Sequence, residues 1–503
     1  MPETRENARE RWRIAEPLLL GLAALFFAVL TRYHWGQICD DAFIVFRYAD
    51  NVAAGVGPVW NRGERVEGFS SPLWLGLMVV GKVLGADLPV RAAGLGVGFS
   101  ALCLVLVHRL AFALSRSRIV AAAACAASAL LAPSYYWAPA GLETALFATL
   151  VTGAAWSLAA PSTWRWVPVA ALLCLARPEG PLLACALGGM AGLAHGRQAL
   201  RPGRVVLALG PGLAWLGFRL AYFGAWLPNT YYAKATGALL SRLESGLIYS
   251  MWALAALVAT AATMWVAGIV HRKSLAAGAL AVLELAIVVA AGGDWMWHGR
   301  MLVSVLPPLV AVAVAGIAHA PSRRRFVLVL VCVLGWSGFL PGATLIVDAF
   351  AGGRLPPTAY QEGRMVSAAL AAAHFIAENY PAEALVAVNH AGALPHALPN
   401  PALDMTGLCD RHIARDIEGG LHQKFDAGYV LSRQPRLVVL NSRTRPGTAG
   451  RWYHPGYWAG ETALFARPEF ASMYRPVNIF WDWRWQGRGD SFILLFERIS
   501  PGS

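Results

Sequence analysis

The sequence predicts a polytopic α-helical membrane protein of about eleven transmembrane helices, followed by a small C-terminal α/β domain. Three observations predict it. Of 503 residues, 57% are hydrophobic and 14% are charged, with a mean hydropathy of +0.49, whereas a soluble domain carries roughly a quarter charged residues. The charges are also confined to short islands between apolar runs of about 15–25 residues, the length that crosses a bilayer. After about residue 347 that pattern stops and the chain becomes water-soluble in character. The net charge of +13 does not point to nucleic acid, because most Lys and Arg lie in short inter-helix loops, where they set orientation.

The elements follow in order. Arg5, Arg9, Arg11 and Arg13 precede the first apolar run, with no small-residue cleavage site after it, and read as the flank of a retained signal anchor. Apolar spans are expected near 17–33, 91–113, 118–135, 142–160, 165–178, 181–195, 204–224, 246–270, 274–291, 301–319 and 325–346. The stretch 71–86 is short and carries Lys82. With an inside N-terminus and 71–86 not crossing, the loops of Arg109/Arg116/Arg118, Arg165, Arg197/Arg201/Arg204, Arg272/Lys273 and Arg323/Arg324/Arg325 all fall inside. So 71–86 is expected to be a juxtamembrane or re-entrant helix, within a first outer loop covering 34–90. The pair 165–178 and 181–195, hinged at Arg177-Pro178-Glu179-Gly180-Pro181, reads either as two spans or as one broken hairpin.

Residues 1–347 then form the transmembrane domain, and 348–503 a C-terminal domain on the outer side of a cytoplasmic (inner) membrane. Gly352-Gly353-Arg354-Leu355-Pro356-Pro357 reads as the linker. Met365 to Tyr380 has helical spacing, and Ala384 to Val388, Leu437 to Leu440 and Phe492 to Phe496 read as buried strands. Five of the seven cysteines lie in apolar runs and read as packing residues. Cys39 and Cys409 fall outside, so a disulfide between them is an open question.

The chemistry concentrates on five outer loops, expected to line one cavity. The first holds Asp40-Asp41-Ala42-Phe43-Ile44 and Phe46-Arg47-Tyr48-Ala49, then Gly63-Glu64-Arg65-Val66-Glu67-Gly68-Phe69. Adjacent carboxylates at a membrane edge are costly and mark a functional site. One can accept a proton from a hydroxyl while the other holds a partner. Asp41 reads equally as the N-cap of a helix over Ala42 to Ala53, leaving Asp40 the better base. Glu143, in Gly141-Leu142-Glu143-Thr144, opens a span and is either a second cavity carboxylate or a group eased by the helix N-terminus. Arg177 is a phosphate clamp by its planar fork, or else an internal partner of Glu179. Lys234, in Pro228-Asn229-Thr230-Tyr231-Tyr232-Ala233-Lys234, and Arg300, after Gly292-Gly293-Asp294-Trp295, add cations on the same face; His298 reads as interfacial or as a ligand group.

In this order and topology the motifs resemble the GT-C membrane glycosyltransferases, closest to the mycobacterial terminal arabinofuranosyltransferase group and more distantly similar to aminoarabinose and protein O-mannosyl transferases. Asp404-Met405-Thr406-Gly407-Leu408-Cys409-Asp410 with His412-Ile413-Ala414-Arg415 belongs to the same set. The resemblance implies inverting transfer of a sugar, arabinofuranose first and a hexose second, from a polyprenyl-phosphate donor to a glycan, lipid or protein acceptor on the outer face. It implies catalytic roles for Asp40 as base, with Asp41 and Glu143, and donor phosphate binding by Arg177, Lys234 and Arg300. Arg47, Arg65, Glu67, Glu179, Tyr231, Asp294 and His298 are the expected substrate-binding residues. Asp40, Asp41 and Glu143 supply carboxylates enough for a divalent cation, without a diagnostic ligand spacing. The rival classes are a transporter or flippase of a lipid-linked saccharide, which calls for charges near mid-span and two related halves, and a carbohydrate-binding scaffold.

Overall fold

The computed structural model describes residues 5–234, 237–268, 272–294, 296–336, 339, 359–419, 423–442, 458–481 and 492–499. The expected linker, and the end of the expected span 325–346, lie outside the described residues. The chain divides into two compact units: residues 1–35, 92–216 and 239–356 in the first, and 36–91, 217–238 and 357–503 in the second.

The first unit is helical. It contains α1 (Arg5–Tyr33), most of α4 (Leu88–Ser115), α5 (Arg118–Ala129), α6 (Ala132–Tyr136), α7 (Thr144–Ala159), α8 (Trp166–Ala176), α9 (Gly180–His195), most of α10 (Pro202–Phe223), α12 (Leu239–Ala267), α13 (Arg272–Ala291), α14 (Leu306–His319) and α15 (Ser322–Trp336). Among the described residues, Ile14–Tyr33, Leu88–Ser115, Pro202–Phe223, Leu239–Ala267 and Ser274–Ala291 are long and apolar enough to cross a membrane. Leu18, Leu25, Val29, Val206, Leu213, Ile248, Met251, Val258 and Trp265 point outward on them, exposed. Apolar side chains in such number belong against lipid rather than water. Small residues set the packing inside, with Ala121, Ala124, Ala155, Ala159, Ala277 and Ala311 in one buried cluster. In a lipid solvent, close backbone approach replaces the hydrophobic drive between helices.

Helices α8 and α9 pair as a hairpin. The 11 residues of α8 reach about 16 Å, well short of the roughly 30 Å hydrocarbon core. The turn between them is tight: a Cβ on Gly180 would land on the Leu173 carbonyl. Arg177 and Glu179 are therefore held on a short break backed by another helix.

The second unit combines the first loop with the C-terminal segment. The loop supplies α2 (Asp40–Ala53) and α3 (Pro72–Val83), the latter capped by the Ser71 side chain. Residues 217–238 add the end of α10 and α11 (Asn229–Lys234). The C-terminal segment brings α16 (Ala359–Asn379), α17 (Ala393–His396), α18 (Arg411–Asp416), α19 (Ala427–Ser432), α20 (Ala459–Phe465) and α21 (Pro468–Met473) around a sheet. Its strands are β1 (Val386–Val388), β2 (Ala402–Asp404), β3 (Leu437–Ser442), β4 (Tyr474–Phe480) and β5 (Phe492–Arg498), in the order β2-β1-β3-β5-β4. β2, β1 and β3 are parallel, with Val386 between Ala402 and Leu437, and β5 runs antiparallel to both β3 and β4. β1, β3 and β5 coincide with the three apolar runs read from sequence. The core is Leu403, Val430, Val438, Leu440, Leu464, Phe470, Leu494 and Phe496.

Candidate active site

The predicted site residues fall into two sets, one in each unit. In the second unit the first turn of α2 carries Asp40 and Asp41, and the N-cap is Cys39, not Asp41. Asp40 is buried, and both of its oxygens accept from backbone: Oδ1 from Ala393 N at 2.8 Å and Oδ2 from Gly392 N at 3.1 Å. Gly392 is required there, since a Cβ would collide with the Asp40 carbonyl. Burial pushes the Asp40 carboxyl above its usual range, against the pull of His390 and of these two amides. Asp41, on the same turn, is half-buried.

Arg47, one of the expected substrate-binding residues, has its guanidinium held inside the protein. Its Nε donates to Trp60 O at 2.8 Å, Nη1 to the Pro395 carbonyl and to Leu398 O at 3.2 Å, and Nη2 to Asn61 Oδ1 at 3.3 Å and Asn400 O at 2.9 Å. All five N–H groups of a guanidinium are thus used inside the protein, and burial lowers its pKa to about 10. Glu67, from the same expected set, is buried and takes Arg219 in a bidentate pair, Nε to Oε2 at 2.6 Å and Nη2 to Oε1 at 3.1 Å. Both charges hold the loop in place.

Other motif residues do the same. Asn61 brackets β2 by donating to Ala402 O at 2.7 Å and accepting from Ala402 N at 3.1 Å. Tyr48 donates to Val66 O at 2.6 Å and accepts from Gly68 N at 2.8 Å. Asn229 Nδ2 reaches Gly407 O at 2.9 Å and Asp410 O at 3.0 Å. Asp404 accepts from Thr406 and from Cys409 N, and burial raises its pKa to about 6. Cys39 and Cys409 are both buried and not joined by a disulfide. Arg65 is exposed, with its guanidinium 4.6 Å from the Tyr222 ring centre, Tyr231 is exposed, and Lys234 ends α11 half-buried.

The first unit gathers the other set. Arg177 lies 2.6 Å from Glu179 Oε1 and 3.5 Å from Glu143 Oε1, its guanidinium over the Phe147 ring. Arg300 Nε donates to Asp294 Oδ2 at 2.6 Å. Arg300 and Glu284 both act electrostatically on Arg177. Glu284, missed in the sequence, is buried midway along α13, its Oε1 accepting from Ser304 Oγ at 3.1 Å. Arg177 and Arg300 are therefore neither isolated anchors nor bare clamps; they stand among four carboxylates. His298 has a left-handed backbone, φ 54°, uncommon for a residue with a Cβ. Its ring centre lies 4.3 Å from that of Tyr136, and burial holds its pKa down near 4. Among the described residues no three His, Cys, Asp or Glu side chains stand together as a metal-binding set.

The C-terminal segment holds a further group that its sequence did not reveal. At the carboxyl ends of β1 and β3 lie Asn389, His390 and Asn441, with Glu461 behind them; Asn441 donates to Glu461 Oε1 from N at 2.9 Å and from Nδ2 at 2.6 Å. None carries a sequence signal beyond following an apolar strand.

Comparison with known proteins bears on this arrangement. A family profile described as a domain of unknown function (DUF8728) matches residues 358–494. The terminal β-(1→2)-arabinofuranosyltransferase of Mycobacterium tuberculosis is 29% identical over 256 residues, covering 44% of this chain and 39% of that one. The Corynebacterium glutamicum protein of the same name is 29% identical over 348 residues, covering 58% and 49%. The chain thus spans less than half the length of the curated relatives it matches. The crystal structure of ArnT from Cupriavidus metallidurans bound to undecaprenyl phosphate superposes with a TM-score of 0.51 at 15% identity, covering 84% of this chain and 92% of that one. The fold is shared, and the resemblance to the GT-C superfamily drawn from the motifs is supported.

Proposed function

We propose that this protein is a membrane glycosyltransferase that moves a sugar, with arabinofuranose the first assignment, from a polyprenyl-phosphate donor to a hydroxyl of a cell-envelope glycan, lipid or protein. The reading places eleven spans in the inner membrane and the second unit on its outer face. The named relatives support the chemistry, and the undecaprenyl phosphate bound to ArnT supports a lipid phosphate as the carrier. The observation that carries the mechanism is the division of labour within the aspartate pair. Asp40 is buried with both oxygens on backbone amides, whereas Asp41, on the same turn, is only half-buried and is the carboxylate that an incoming hydroxyl can reach.

The reaction is then a single displacement. Asp41 takes the acceptor hydroxyl proton as that oxygen attacks the anomeric carbon. The bond from that carbon to the lipid phosphate breaks, and polyprenyl phosphate leaves with the electron pair, giving inversion. Arg177 and Arg300 are assigned to the phosphate. Arg177 lies 2.6 Å from Glu179 and 3.5 Å from Glu143, and in this reading the looser of the two ion pairs is the one a phosphate oxygen displaces. Glu143 is thereby freed toward the sugar.

The test is direct. Purified protein given polyprenyl-phosphate arabinofuranose and a glycan acceptor should release polyprenyl phosphate and yield a product of inverted anomeric configuration by NMR. Retention of configuration sinks the single displacement, and failure with every pentosyl and hexosyl donor sinks the transferase reading.

A further inference from the structure

In the second unit, β1 leads to β2 on one side while β3 lies on its other side. The carboxyl ends of β1 and β3 therefore form a topological switch point, the crevice where open parallel sheets bind ligands. β1 ends at Val388, paired with Val439 of β3; Asn389 and His390 follow it directly, and Asn441 lies two residues beyond Val439 on the neighbouring strand.

The polar groups here are not used up by the fold. Asn389 is 6% exposed and Glu461 1% exposed. Neither Asn389 Nδ2, nor His390 Nε2, nor Glu461 Oε2 has a hydrogen-bond partner among the described residues. Buried polar atoms are paired as a rule, so each exception needs a reason. The carboxyl end of β2 is the internal control: Asp404 there is fully bonded within its own turn. The Trp458 ring lies 6.3 Å from that of His390.

We infer that Asn389, His390, Trp458 and Glu461 form a subsite for a neutral sugar unit of the acceptor. The chemistry selects the class. A sugar offers hydroxyls that donate and accept at once and a C–H face for an aromatic ring. Burial raises the Glu461 pKa to about 8, so at neutral pH it carries a proton and donates from one oxygen. An anion would meet Asp40, which is within electrostatic range of His390. A divalent cation would need a cluster of ligands, which is absent among the described residues. The loop holding His390 is also the one tied, at Gly392 and Ala393, to Asp40, the neighbour of the proposed base. This inference rests on the transferase reading only for the identity of the sugar as acceptor.

The test uses the full chain in detergent, with a methyl arabinofuranoside disaccharide as probe and a methyl mannoside disaccharide beside it. Saturation-transfer NMR should show ring-proton signals for one or both sugars, lost in Asn389→Ala and Trp458→Ala. In the transfer assay Asn389→Ala should raise the acceptor KM about tenfold, the worth of one or two neutral hydrogen bonds, with donor affinity unchanged. Thermal unfolding of Asn389→Ala in detergent, with a Tm close to wild type, separates loss of binding from loss of fold. Binding without transfer retains the subsite and removes the transferase reading. Transfer without saturation signals, or signals equal in Asn389→Ala, overturns the subsite.

Discussion

Replacing Asp40 by Asn separates a positioning role from a catalytic one. The ionised carboxylate accepts from two buried amides, at 2.8 and 3.1 Å. A carboxamide keeps one acceptor oxygen, so one of those amides would face an N–H donor. Losing a charge-assisted bond costs about 1.5–3 kcal/mol, and an unsatisfied buried donor about 1–3. Part returns, because burial already disfavours the Asp40 charge. A net loss of about 2–4 kcal/mol remains, which for a unit of this size lowers Tm by about 5–15 °C. Thermal unfolding in detergent and the transfer assay are then compared for Asp40→Asn and Asp41→Asn. Asp40→Asn should be less stable, with activity partly recovered on cooling. Asp41→Asn should lose transfer by about 10²–10⁴-fold at every temperature at which it is folded, the usual worth of a general base. The reverse pattern, a stable inactive Asp40→Asn beside an active Asp41→Asn, would refute the division of roles and make Asp40 the base.

Arg47→Lys should cost about 3–5 kcal/mol, because an ammonium has three donors where the guanidinium serves Trp60, Pro395, Leu398, Asn61 and Asn400; proteolysis between 385 and 404 should accelerate, and wild-type resistance would count against the pin. Arg177→Ala should weaken donor binding more than acceptor binding and also destabilise, since Glu143 and Glu179 lose their cation; adding Glu179→Ala should restore Tm but not donor affinity. Glu461 has its pKa raised from 4.5 to about 8 by burial, so its stabilising neutral form is fully present below about 4.5 and lost as pH climbs through 8. Tm should fall across that window, by at most about 5 kcal/mol of stability, and Glu461→Gln should flatten the fall. A reducing agent should leave Tm unchanged, because no disulfide joins Cys39 and Cys409.

The parts of the fold legible in the sequence are those written in composition. Long apolar runs give α1, α4, α10, α12 and α13, because bilayer thickness imposes length directly on the chain. The break at Arg177 was visible because prolines flank it. β1, β3 and β5 were visible as buried apolar runs, whereas β2 has 3 residues and β4 is an edge strand, mostly partly exposed, containing Pro476. Glu284 was missed because one carboxylate barely changes the hydropathy of a 20-residue helix.

The motifs themselves teach something narrower. A stretch crowded with charge tells where charges are needed, but not whether their partners are ligand or protein. Asp40, Arg47, Asn61, Glu67, Tyr48 and Asn229 all came from loops that looked like site walls, yet each spends its polar atoms on backbone or on a residue far along the chain. Those partners, at 392–410 and at Arg219, are 150 or more residues away for all but Tyr48, so no local pattern could reveal them. The converse holds for Asn389 and Glu461. They sit in a plain bend after β1 and in the first turn of α20, and are singled out only by what their buried atoms lack. In this unit the conspicuous residues build the frame, and function is better sought in buried polar atoms that the frame leaves unpaired.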